Sequence, residues 1–144
     1  MVCSQALGKK ALRDPSGTGS FTLALDNRSG YDTGDLRRFL VSGFRAMGAK
    51  GPKSVIVVSS PIRSRGCAEI GGPRQGRAMV LSIAAPSHFS MRRLTRLFEH
   101  EYTHQKGYEH DDMRREVMWS LGPVPSWARG LKIRYRGRAP AQIP

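Results

Sequence analysis

The sequence predicts an α+β fold in which a small mixed β-sheet packs with two helices. Three observations lead there. A chain of 144 residues, 39% of them hydrophobic, is long enough to bury the core of one domain. Two segments repeat apolar residues at the three- and four-residue spacing of a helix, and three others are short, β-branched or alternating, as strands are. Their order is β-α-β-β-α.

Residues 1–20 are rich in Gly, Ser, Lys and Arg and show neither period, so they read as a flexible basic arm. In Phe21-Thr22-Leu23-Ala24-Leu25 the apolar side chains Phe21, Leu23 and Leu25 fall on one side of a first strand, and Asp26 to Gly30 supply turn residues. Thr33 or Asp35 can cap the first helix. There Leu36, Phe39, Leu40, Phe44 and Met47 form the apolar stripe, Arg37, Arg38 and Arg45 the polar side, and Gly48 the stop. Ser54 to Ser59 is a β-branched run without alternation, which predicts a central strand covered on both faces. Residues 61–77 carry Pro61, Gly66, Gly71, Gly72, Pro73, Gly76 and four arginines, a loop expected to border a cleft. A strand over Ala78 to Ala85 follows, then a helix capped at Ser90 and running to Gln105 or Lys106. Near the end, Leu131, Ile133 and Tyr135 alternate with Lys132, Arg134 and Arg136. That predicts an edge strand with one apolar and one basic face.

Lys and Arg total 24 against 11 Asp and Glu, a net charge of +13, which favours acidic or anionic partners. The excess is uneven: residues 99–116 hold six acids and three bases, leaving 21 bases and five acids elsewhere. Two cysteines, Cys3 and Cys67, are too few for a disulfide framework. No apolar run is long enough to cross a bilayer, so no membrane partner is expected, and a monomer is. The amino terminus lacks the apolar segment of a signal peptide. As written the chain reads as intracellular, with export left open because a removed leader would leave no trace.

Three of the four histidines fall in His100-Glu101-Tyr102-Thr103-His104-Gln105-Lys106-Gly107-Tyr108-Glu109-His110, the pattern H-E-x-x-H-x-x-G-x-x-H. At about one in twenty per fixed position, five such residues arise by chance in roughly one chain in twenty thousand of this length. Residues four apart share a helix face, so His100 and His104 can reach one metal ion, and zinc suits imidazole ligands. Gly107 can adopt the left-handed conformation that ends the helix and returns His110 as third ligand. One position stays open for a water whose proton Glu101 can take as general base, the arrangement of metal-assisted peptide hydrolysis.

The segment resembles the zinc site of metzincin metallopeptidases, whose long motif is followed by a methionine-containing turn beneath the metal. Met118, eight residues after His110 in Glu116-Val117-Met118-Trp119, matches the spacing of the matrixin branch. The resemblance implies a metzincin-like catalytic domain over residues 21–121, flanked by the arm at 1–20 and a basic carboxy-terminal extension at 122–144. It further implies one catalytic zinc on His100, His104 and His110, Glu101 as the catalytic residue, Gly107 as the structural turn and Met118 as an apolar floor. The strand before the active-site helix would be the substrate rim, with Val80 and Ser82 on it, and the substrate a polypeptide, acidic ones being favoured by charge. Ser120 stands where astacins and serralysins carry a zinc-binding tyrosine, and no propeptide with a cysteine switch is recognisable; Cys3 or Cys67 could cap the zinc, though each reads more readily as a free thiol.

Among neighbours of the motif, Asp111 could orient a ligand imidazole, with Asp112 a weaker choice. His88 could be a fourth ligand, which would close the open position; a capping or surface role fits better. Trp119 and Trp127 could line the cleft or pack as core. A second function class remains beside the peptidase. Gly107-Tyr108-Glu109-His110 is similar to the end of the three-histidine site in bacterial metal-dependent ribosomal-RNA maturation endonucleases, and +13 suits phosphate contacts, which makes nucleic acid the secondary partner. That family lacks a glutamate after its first histidine, and Glu101 therefore ranks the peptidase first.

Overall fold

The structure, a computed structural model, describes residues 20–59, 67–68, 78–112 and 122–137. The arm, apart from Ser20, and the loop at 61–77, apart from Cys67 and Ala68, lie outside them. The described chain is a small α+β fold with the order β1 (Phe21–Asn27), α1 (Thr33–Ala46), β2 (Gly51–Ser59), β3 (Cys67–Ala68), β4 (Met79–Ile83) and α2 (Met91–Gln105), with short 3-10 turns at Pro86–His88, His110–Asp112 and Ser126–Ala128.

The sheet order is β1-β2-β4-β3. Leu25 aligns with Val55 and Val55 with Met79, so β1, β2 and β4 run parallel, while β3 pairs antiparallel through Cys67 opposite Val80. The expected mixed sheet is present, with β3 as an element the sequence did not reveal. Parallel register puts Leu25, Val55, Val57, Met79, Leu81 and Ile83 on one face, and both helices pack there. β2 is interior as expected, but it is buried on one face only. Val55 and Val57 are fully buried, whereas Ile56 and Val58 on the opposite face are half-buried. The unbroken β-branched run reflects strand propensity rather than two covered faces.

The helices meet through rings. Phe98 of α2 touches Phe39 and Phe44 of α1, stacks on Tyr102 and contacts Trp127, at centroid separations of 5.1–6.0 Å. Burying side chains of this size stabilises by about 1.5–3 kcal/mol each, and edge-to-face pairing adds to that. Gly43 makes the close approach possible, because a Cβ there would stand 2.9 Å from Phe98 and 3.0 Å from Trp127. Trp127 thus packs as core. Ala128 and Ile133 are buried in the same cluster, so the chain after Gly122 adds to the core that α1 and α2 build.

Two local expectations are corrected. α1 is capped by Asp32, whose side chain accepts from the Asp35 backbone N–H, rather than by Thr33 or Asp35. Asp35 is engaged elsewhere, its buried carboxylate taking Nε and Nη2 of Arg134 at 2.8 and 3.1 Å. The alternation at Leu131 to Arg136 forms no strand, only a single antiparallel bridge of Tyr135 with Tyr31; the arginines there pair with Asp32 and Asp35 while staying largely exposed. Among the described residues no helix is long and apolar enough to cross a membrane.

Candidate metal centre

α2 begins where the sequence places it. Ser90 is extended and its hydroxyl accepts from the Arg93 backbone N–H at 3.1 Å. Leu94, Phe98 and Tyr102 then face the core, and His100 and His104, one turn apart, share another face of the helix. The helix stops at Gly107, whose φ of +100° favours glycine. The Gly107 N–H donates to the His104 carbonyl at 2.8 Å and the Tyr108 N–H to that of Thr103 at 3.3 Å, the pair of bonds that defines a Schellman stop.

The returning chain is closed by a second small device. Glu109 N–H donates to the Asp112 carboxylate and Asp112 N–H to the Glu109 carbonyl, both at 3.0 Å, which fixes the turn carrying His110. The carboxylate closing this turn is that of Asp112; Asp111 is exposed.

These elements bring the three predicted histidines together. Their ring centroids stand 4.9 Å (His100 to His104), 5.2 Å (His100 to His110) and 4.8 Å (His104 to His110) apart, and one nitrogen from each lies within 4.8 Å of the others. Around tetrahedral zinc with Zn–N of about 2.0–2.1 Å, nitrogens stand roughly 3.4 Å apart and ring centroids about 5 Å apart. The rings already have the required spacing, and seating an ion asks for no more than about 1.4 Å of convergence at the nitrogens. The donor set therefore fits a metal ion that accepts imidazole nitrogen. His104 is buried, and its Nδ1 lies 2.9 Å from the Tyr108 carbonyl. Donation from Nδ1 to that oxygen fixes the tautomer and leaves Nε2 for a metal. His100 is half-buried and His110 exposed, so the cluster is open on one side.

Glu101 is the other buried group of the motif, 2% exposed, with Oε1 lacking a hydrogen-bond partner among the described residues. Burial pushes its carboxyl up to about 8, against the opposing pull of the Arg96 guanidinium. Arg96 itself is lowered by burial and by Arg93, with Glu101 acting the other way. The carboxyl thus holds its proton at neutral pH, and a cation on the neighbouring imidazoles would lower it and free it to exchange a proton with a water there.

Val80 and Ser82 are half-buried on the face of β4 turned from the helices. At Val80 the outer edge of β4 is taken by Cys67 of β3, and Ser82 lies beyond the described part of that pairing. His88 is exposed, with Nδ1 3.1 Å from the Ser87 hydroxyl, and stands apart from the three-histidine group. Met118, Trp119, Ser120 and Cys3 lie outside the described residues. Sequence reasoning missed the Tyr108 carbonyl, which no side-chain pattern can announce, and Arg96, whose spacing of five from Glu101 is not a helical neighbour relation. No family model, curated protein or solved structure matches this chain.

Proposed function

We propose that the chain is a zinc-dependent endopeptidase of minimal, metzincin-like build. The observation that carries this reading is the meeting of three imidazoles at one end of α2 with a buried carboxyl, one residue from the first of them, whose Oε1 has no hydrogen-bond partner among the described residues. Zinc, when bound there, supplies Lewis acidity toward a water and toward a peptide carbonyl oxygen. The chain supplies the rest. The α2 backbone spaces His100 and His104, the Schellman stop returns His110, and the Tyr108 carbonyl holds His104 in one tautomer. Glu101 Oε1 would accept the proton of the attacking water and return it to the leaving nitrogen, a dication on the imidazoles opposing the burial that otherwise keeps the carboxyl protonated. Extended polypeptide pairs its main chain at the Ser82 end of β4, and the net charge of +13 draws acidic substrates.

The test pairs wild type with Glu101→Ala on an unfolded protein and on single-stranded RNA, with and without chelator. Chelator-sensitive proteolysis that disappears in the variant is expected. RNA cleavage that survives the alanine change, with protein left intact, would overturn the reading in favour of an endoribonuclease using the same three histidines, the alternative that Gly107-Tyr108-Glu109-His110 and the basic surplus favour.

A further inference from the structure

We propose that Arg134-Tyr135-Arg136, seated against the start of α1, is a binding subsite for single-stranded nucleic acid, separate from the histidine cluster and independent of what that cluster does. The segment is bound firmly. The Arg136 N–H donates to the Gly30 carbonyl at 2.7 Å and the Asp32 N–H to the Arg134 carbonyl at 2.8 Å, on either side of the bridge between Tyr31 and Tyr135. At such a bridge successive side chains alternate, so the ring of Tyr135 takes one side of the backbone and both guanidiniums the other.

Each side is prepared for a different part of a nucleotide. Asp35 takes Nε and Nη2 of Arg134 and also pairs with Arg38, while Asp32 takes Nε of Arg136 at 2.7 Å. The guanidiniums are aimed by these carboxylates yet remain well exposed: the side chains of Arg38, Arg134 and Arg136 are 61%, 58% and 59% accessible. Among the described residues Arg136 gives only Nε to Asp32, which leaves its Nη donors for a phosphate, and a guanidinium meets phosphate in the bidentate way an ammonium cannot. From Ser126 to Gly137 the chain carries Arg129, Lys132, Arg134 and Arg136 and no acid; the carboxylates facing the arginines are those of Asp32 and Asp35, outnumbered by the cations they hold.

Tyr135 is the second part. It is 44% exposed, one of two large aromatic side chains so open among the described residues, and it packs against Tyr31. Its ring meets Tyr31 edge-on at 5.0 Å and lies where a Cβ on Gly30 would come within 2.7 Å, so a glycine is what lets it sit there. An aromatic ring seated against Tyr31 and Gly30, still 44% exposed and flanked by aimed arginines, offers a stacking platform with phosphate contacts beside it. An acidic polypeptide would use the charge but has no flat base for the ring.

The experiment measures binding of a fluorescent twelve-nucleotide oligothymidylate by anisotropy, with chelator present. Tyr135→Leu, which keeps an apolar contact with Tyr31, is expected to weaken binding by about fivefold or more, Tyr135→Phe to retain it, and Arg136→Gln to reduce the slope of log K against log salt by about 0.7. Polyglutamate of equal charge should compete poorly. Equal binding by Tyr135→Leu, or competition by polyglutamate as strong as by unlabelled oligonucleotide, would overturn the proposal. Should the variants fail to fold, ultraviolet crosslinking of the wild-type chain decides: an adduct within residues 134–136 supports it, and adducts exclusively elsewhere sink it.

Discussion

Replacing Glu101 by methionine should make the metal-stripped protein more stable while abolishing catalysis, and the gain should depend on pH. The side chain is 2% exposed, Oε1 has no hydrogen-bond partner among the described residues, and burial raises the carboxyl from 4.5 to about 8. A carboxyl whose folded affinity for protons exceeds the unfolded one contributes its full stability below about pH 4.5 and loses it as pH rises through 8. At pH 7 the folded group stays protonated while the unfolded one is ionised, a difference of about 2.5 pH units, or roughly 3 kcal/mol at 1.36 kcal/mol per unit. Methionine has similar length, no charge and no polar atom to leave unsatisfied. In a chain of this size a gain of about 3 kcal/mol raises the melting midpoint by roughly 6–12 °C. Calorimetric melts of wild type and Glu101→Met in chelator, at pH 4.5 and pH 7.5, check it. A benefit at pH 7.5 that vanishes at pH 4.5 is expected; a loss of stability, or an equal gain at both pH values, would mean that the carboxylate is satisfied where it lies and that the argument for a proton-hungry group is wrong.

Zinc added to chelator-treated wild type should raise its melting midpoint, by about 2.7 kcal/mol equivalent at a hundredfold excess over the dissociation constant, and His104→Ala should lose most of that response. Asp35 lies well below the usual carboxylate range because Arg134 and then Arg38 hydrogen-bond it. Its contribution is therefore present above about pH 4 and lost as the solution is acidified further, so acid melts of wild type should steepen there while those of Asp35→Asn, already weakened, should not. Gly43→Ala gains up to about 1 kcal/mol of helix propensity but pushes Phe98 and Trp127, and overpacking costs about 1–3 kcal/mol; denaturant titration should show a net loss near 1 kcal/mol.

The parts of this molecule legible in the sequence are those settled by near neighbours. Ser90, the apolar stripe of α2, the spacing of His100 and His104 and the stop at Gly107 involve contacts within a few residues, and each falls where periodicity and capping chemistry put it. What stayed hidden was decided at long range. Thr33 and Asp35 are both good caps, but Asp35 is claimed by Arg134, a residue 99 positions away, and Asp32 caps in its place. The alternation from Leu131 to Arg136 is a true period of two, yet Arg134 and Arg136 find carboxylates before any strand finds them a ladder. The two residues of β3 are too short for any period to show, and they occupy the edge of β4 at Val80.

Charge divides the molecule in a way that bears on both proposals. Residues 99–112 hold five acids and one base, whereas Ser126 to Gly137 holds four bases and no acid. Two unit charges 10 Å apart in water interact by about 0.4 kcal/mol before screening, so four carboxylates near the histidines would cost an approaching phosphate on the order of 1–2 kcal/mol. A dication on the imidazoles, about 4 Å from that phosphate, returns about 2 kcal/mol by the same arithmetic, so charge does not choose between amide and phosphodiester chemistry there, and the choice rests on Glu101. The two sites then cooperate by tethering: a strand bound at the arginines raises the local concentration of protein associated with it, and adding oligothymidylate should accelerate cleavage of a nucleic-acid-bound protein while leaving cleavage of a free peptide unchanged.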